Sequence, residues 1–140
     1  MLDVMPTDES VLGFGNRWYD VAVRTATHML LPSGRSIRLI APPVFLATKL
    51  EAFRGRGGGD FLASHDLEDI AVIIDGRREL VDEVATCEAA LRIYLADEIG
   101  FLLRNAAFLE ALPGHLPGNE AGQARLPIIR ERLRLLAARG

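Results

Sequence analysis

The sequence has little lysine and little cysteine. Lys49 is the only lysine among sixteen basic residues, so the other fifteen are arginine. Cys87 is the only cysteine, which excludes an internal disulfide and is typical of a cytosolic protein. An ammonium is a compact charge on a flexible stem and suits phosphate contact, whereas a guanidinium is a planar fork. The single lysine therefore marks a place to look for chemistry, although chance explains one lysine equally well.

Long apolar runs and a large net charge are also absent. No run approaches the ~18 apolar residues of a membrane span, and the opening MLDVMP has neither the basic nor the apolar region of a signal peptide. The net charge of −3 argues against a surface that binds nucleic acid all over, while a local basic patch stays open. We therefore expect one globular domain in the cytoplasm, without a membrane partner.

The first half of the chain predicts an α+β fold with a small, mostly antiparallel sheet. Residues 2–5 form a short strand, and residues 17–26 form a helix capped by Asn16. The segments 28–31 and 36–41 then form a hairpin around a Pro-Ser-Gly-Arg turn.

Two helices follow the hairpin. Pro42 and Pro43 open the first, which ends at the glycines of residues 55–59 and places Lys49 at the edge of its buried face. Ser64 or His65 caps the second, which reaches about residue 75. On it, Asp66, Asp69 and Ile73 share one face at spacings i, i+3 and i+7.

Beyond Gly76 the pattern predicts a helical bundle. We expect a short helix at 80–84, a long helix at 86–112 broken near Gly100, a loop at 113–119, and a last helix with Pro127 in its first turn. The last segment carries a group of arginines that predicts a solvent-exposed basic face, with a tRNA or partner surface as the alternative: Arg125, Arg130, Arg132, Arg134 and Arg139. We expect residues 1–76 to form a core on which residues 77–140 pack as one compact unit.

The segment from Lys49 to Asp69 combines cations with carboxylates. Lys49, Arg54 and Arg56 precede a glycine-rich turn, and Asp66 and Asp69 follow it. This combination suits a metal–triphosphate ligand, because carboxylates bind Mg²⁺ and the cations neutralise phosphate oxygens. The structural alternative is that the helix dipoles favour Asp66 and the arginines where they stand, and that Asp69 pairs with an arginine.

Other chemistries find little support. The GGGDF loop is not a phosphate-binding P-loop, because no Gly-Lys-Ser/Thr follows it. The pair His65-Asp66 would need further histidine ligands to form a metal phosphohydrolase site. The other two histidines do not lie in a helix of that kind, because His28 is in a predicted strand and His115 is in a predicted loop. Cys87 has no histidine near it in sequence, so nucleophilic catalysis is unsupported.

Two motifs resemble those of the AbiEii-type nucleotidyltransferases, the toxin half of abortive-infection toxin–antitoxin systems. KLEAFRGR, which begins at Lys49, resembles the family's K-L-x-A-x-x-x-R, and HDLEDI, which begins at His65, resembles its K-D-x-x-D-[IL]. The resemblance covers residues 2–76 and implies a truncated nucleotidyltransferase-like fold. It also implies transfer of a nucleotide from Mg-NTP to a hydroxyl acceptor such as RNA.

The resemblance implies a role for each candidate residue. Lys49 would contact the nucleotide phosphates, and Arg54 and Arg56 would contact the triphosphate. Asp66 would be the later acidic residue of the catalytic site. Asp3 would bind Mg²⁺ or activate the attacking hydroxyl.

The sequence departs from the family in one respect. The family's first motif, Gly-Ser followed by Asp-x-Asp on a strand, should precede Asp3, and nothing in the sequence precedes Asp3 to supply it. Two-metal phosphoryl transfer would then lack its main ligands. The alternative function is therefore a catalytically inactive interaction module or split-gene remnant, which binds an antitoxin or an upstream-encoded half.

Overall fold

The computed structural model describes residues 17–55 and 64–139, apart from the side chains of residues 17, 19, 37 and 38. Several predictions from the sequence lie outside the described residues: the strand at residues 2–5, the cap at Asn16, and the site candidates Asp3 and Arg56.

The described chain is mainly helical. Its elements, in order, are α1 (Arg17–Thr25), β1 (Thr27–Leu30), β2 (Ser36–Leu39), α2 (Pro42–Gly55), α3 (His65–Gly76), α4 (Leu80–Thr86), α5 (Ala89–Leu103), α6 (Ala106–Ala111), a 3₁₀ helix (Leu112–His115), α7 (Glu120–Gln123) and α8 (Leu126–Ala137). Among the described residues, the β structure is the antiparallel hairpin β1–β2, with Thr27 opposite Leu39 and Leu30 opposite Ser36. The helical bundle is confirmed, and the nucleotidyltransferase-like fold stays a prediction.

The hairpin and the two helices after it follow local sequence signals. Gly34 adopts a φ of 86° in the hairpin turn, a conformation that side chains with a Cβ rarely adopt. α2 starts at Pro42, as predicted, because proline is tolerated in a first turn. Ser64 caps α3 by accepting a hydrogen bond from the Leu67 amide at 3.2 Å, as predicted.

The predicted long helix over 86–112, broken near Gly100, is present as two helices whose bounds differ from the prediction. The chain leaves α4 after Thr86 and starts α5 at Ala89, and α5 ends at Leu103. The break that was predicted near Gly100 lies further along the chain, because Gly100 stays within α5. It lies at Asn105, whose side-chain oxygen accepts hydrogen bonds from the amides of Ala107 and Phe108 and so begins α6.

The core lies between α2, α3, α5 and α8. α5 packs mainly on α8, and α2 packs on α1 and α3. The inner faces of α2 and α3 are made of apolar residues that are all at most 4% exposed: Leu46, Leu50, Phe53, Leu67, Ile70, Ala71 and Ile74. In the part of the chain that the structure describes, every helix is too short or too polar to span a bilayer.

The prediction of a solvent-exposed basic face is wrong for two of the arginines, Arg125 and Arg132, which bond to α3. Arg132 Nη1 donates to the carbonyl oxygens of Ile74 and Asp75 at 2.8 and 2.7 Å. Arg125 Nε donates to Asp75 Oδ1 at 2.7 Å. Cations are favoured at helix C-termini, where carbonyl groups lack intrahelical partners. These two arginines therefore hold the C-terminal end of α3, whereas Arg134 is exposed and pairs with Glu131 on its own helix.

Candidate functional site

The two motif helices meet at an ion pair. Lys49 Nζ, from the middle of α2, lies 2.7 Å from Asp69 Oδ2 of α3. The same ammonium lies 5.5 Å from the centroid of the Phe45 ring, one turn earlier on α2, which is the geometry of a cation–π contact. The side chains of Lys49 and Asp69 are 23% and 45% exposed, so solvent reaches the pair. An arginine was the expected partner of Asp69 in the structural alternative, whereas among the described residues the partner is Lys49.

Asp66 and Asp69 stand one turn apart on α3 but differ in exposure. Asp66 lies in the first turn of the helix and is only 5% exposed. Asp69 lies nearer to the middle of α3 and keeps almost half of its side chain in solvent. The sequence analysis assigned catalytic roles to Asp66 and to Asp3, which lies outside the described residues, whereas the structure places Asp69 beside Lys49.

Arg54 lies at the C-terminal end of α2 and reaches α5. Its Nη1 atom is 3.1 Å from Glu98 Oε2, and its guanidinium carbon lies 4.7 Å from the centroid of the Phe101 ring. Arg54 is half exposed, so the pair with Glu98 is screened by solvent. The structure thus brings Lys49 together with Asp69, and connects Arg54 to α5.

A groove of about 430 Å³ opens beside the Lys49–Asp69 pair. It is lined by the end of the hairpin, the first turn of α2 and one face of α3: Ile40, Pro42, Phe45, Asp69, Val72, Ile73, Gly76 and Arg77. Sequence reasoning did not identify this groove. The available signal was Val72, an apolar residue that lies outside the buried face of α3 and is 55% exposed.

Arg77 lines the groove and has its guanidinium engaged by Glu83 of α4. Its Nε and Nη2 atoms donate to Glu83 Oε1 and Oε2, each at 2.8 Å, in a two-bond fork. The hydrogen bonds raise the pKa of Arg77 and lower the pKa of Glu83, against the opposing effect of partial burial. The pair is therefore charged on both sides at neutral pH.

The described residues do not by themselves form a magnesium site. No group of three or more histidine, cysteine, aspartate or glutamate side chains among them converges as metal ligands would. Asp66 is buried, and Asp69 already contacts Lys49. At this point the described residues bring together one partly exposed cation, Lys49, and one partly exposed carboxylate, Asp69.

No family model, no curated protein and no solved structure matches the chain.

Proposed function

We propose that this chain is the phosphate-binding part of an AbiEii-type, nucleotidyltransferase-like protein. Its substrate would be Mg-NTP, and a complete site would transfer the nucleotide to a hydroxyl group of an acceptor such as RNA. The observation that carries the proposal is the 2.7 Å contact between Lys49 and Asp69, which joins the helices of the two motifs beside a groove.

The chemistry of Lys49 supports a phosphate contact. Its ammonium is the only one in the chain and is partly exposed, and it lies at a groove of the size that small-molecule ligands occupy. Exposed ion pairs typically contribute about 0.2–1 kcal/mol, and an ammonium has three donors, so Lys49 can contact a phosphate oxygen while it stays paired with Asp69. Asp69 therefore holds Lys49 in place in the free protein without preventing its contact with a ligand.

The proposal is tested by thermal unfolding with and without Mg-NTP. Ligand at ~100 times its dissociation constant should add about 2.7 kcal/mol to the free energy of unfolding. We expect this gain in the wild type and in Lys49→Arg, which keeps a cation, and its loss in Lys49→Ala. Arg134→Ala is the matched control, because it removes an exposed, ion-paired cation from α8. Equal gains in the wild type and Lys49→Ala would refute the phosphate role of Lys49.

An interaction module without catalysis is the second candidate function. All four residues of β1 are exposed, including Met29 and Leu30, and Leu30 is 72% exposed. Exposed apolar strands at a sheet edge are typical pairing sites for another chain. This candidate predicts that the chain copurifies with the antitoxin or the upstream-encoded half. Leu30→Lys should abolish the copurification, and Ile128→Lys, a change at an exposed position on α8, should preserve it. It also predicts no response of the wild type to Mg-NTP.

A further inference from the structure

The groove is continuous with the cation that we assign to phosphate. Phe45 and Asp69 line the groove, and both contact the Lys49 ammonium. A phosphate group on Lys49 would therefore leave the remainder of its ligand at the mouth of the groove. The volume of about 430 Å³ is within the ~300–1,000 Å³ of small-molecule sites.

The walls of the groove are mainly apolar. Ile40 and Phe45 contribute from the side of the hairpin and α2, and Val72 and Ile73 contribute from α3. Val72 is 55% exposed, although it lies on a helix that otherwise buries its apolar residues. A flat, weakly polar ring would remove this apolar surface from water, which a second anionic group would not do.

The charged side chains of the lining already have partners. Asp69 contacts Lys49, and both arms of the Arg77 fork are bonded to Glu83. Releasing Arg77 would break two short charge-assisted hydrogen bonds, so Arg77 is a poor second phosphate ligand. Recognition in the groove would therefore depend on packing more than on new hydrogen bonds to these side chains.

We infer that the groove binds the nucleobase of the NTP whose phosphates contact Lys49, by packing against apolar side chains, and therefore with little preference among bases. This inference rests on the proposed function, and adds to it the part of the ligand that the groove takes.

Calorimetric titration of the full chain separates the two parts of the ligand. The probes are Mg-ATP, Mg-CTP and Mg-tripolyphosphate, which has the phosphates without the nucleoside. We expect both nucleotides to bind with similar affinity and at least about fivefold more tightly than tripolyphosphate, the lower limit for stacking one base on an aromatic side chain.

Two substitutions at exposed residues test whether the base binds in the groove. Val72→Gln replaces an apolar wall with a neutral polar one, and Ile93→Gln makes the matched change on α5, at a residue 49% exposed and outside the lining. We expect Val72→Gln to lower the affinity for both nucleotides severalfold and to leave tripolyphosphate binding unchanged. Ile93→Gln should change neither.

Each of the other outcomes overturns a defined part. If the nucleotides bind no more tightly than tripolyphosphate, the groove does not take the base, and the proposed phosphate role of Lys49 stands. If Val72→Gln binds nucleotides as tightly as the wild type does, the base does not bind at the proposed location. If one base is preferred by more than about tenfold, the base is not recognised by nonspecific stacking, which tolerates every base. If none of the three ligands binds, the proposed function fails and the inference fails with it.

Discussion

Lys49 Nζ and Asp69 Oδ2 lie 2.7 Å apart on a part of the surface that solvent reaches. Solvent screens such an ion pair, so it contributes little to stability. We expect a double-mutant cycle of Lys49→Ala and Asp69→Asn, measured by urea unfolding, to give a coupling free energy of about 0.2–1 kcal/mol. The more exposed pair of Arg134 and Glu131 is the reference. A coupling above this range would indicate a structural role that outweighs ligand binding.

Arg132 contributes to stability through the end of α3. Its Nη1 atom donates to the carbonyl oxygens of Ile74 and Asp75, which have lost their helical partners. We expect Arg132→Met to lower the free energy of unfolding by about 1.5–3 kcal/mol, the range for hydrogen bonds to charged groups. Arg134→Met, on the same helix, should cost far less, because Arg134 is 64% exposed and bonds only to Glu131 among the described residues. Equal losses in the two variants would contradict the capping role.

Gly122 is required by a close approach of the chain to itself. A Cβ atom at this residue would lie 2.6 Å from the Cβ of Pro117 and would also clash with the Pro117 carbonyl. We expect Gly122→Ala to lower the free energy of unfolding by about 1–3 kcal/mol, the usual cost of overpacking. Gly118→Ala, four residues away, has nothing within 4 Å of the added methyl group and should be nearly neutral. Thermal unfolding of the two variants side by side checks this, and a neutral Gly122→Ala would refute the clash.

Glu83 should make part of the stability depend on pH. Because the hydrogen bonds from Arg77 lower its pKa in the folded state, protons bind Glu83 more readily in the unfolded state. Its contribution is therefore present above the ordinary carboxyl pKa of about 4.3 and is lost as the pH falls through the folded-state value. We expect the gap in unfolding free energy between the wild type and Glu83→Gln to be present at neutral pH and to shrink below about pH 4.5. Glu110→Gln, an exposed carboxylate on α6, is the control and should show no such gap.

The ends of several helices could be predicted because local residues determine them. Pro42 begins α2 and Ser64 caps α3 through interactions within one turn. Asn105 offered a signal of the same kind, which was overlooked in favour of Gly100. The break between α4 and α5 has no such signal, since the side chain of Glu88 makes no capping hydrogen bond.

The sequence predicted some of the residues of the candidate site, but it did not predict their contacts. The spacing of Asp66, Asp69 and Ile73 placed them on one face of α3, but it did not show that Asp66 is buried and that Asp69 faces Lys49. Which faces of two helices meet depends on the whole core. The bonds of Arg132 were out of reach for a further reason, because their acceptors are backbone carbonyls 57 and 58 residues earlier, which no side-chain pattern marks.

The bonds from Arg125 and Arg132 to α3 also determine when the C-terminal end of this helix can be completed during synthesis. The helix that carries Asp66 and Asp69 leaves the ribosome at least 50 residues before the arginines that hold its C-terminal end. Until those arginines emerge, the last carbonyls of α3 can bond only to water or to transient partners. Since chains fold progressively from the N-terminus as they are made, the final turn of the site helix would be completed only after the segment that carries these arginines has emerged. A nascent chain arrested before Arg125 would then have the residues of the site on a helix whose end still frays.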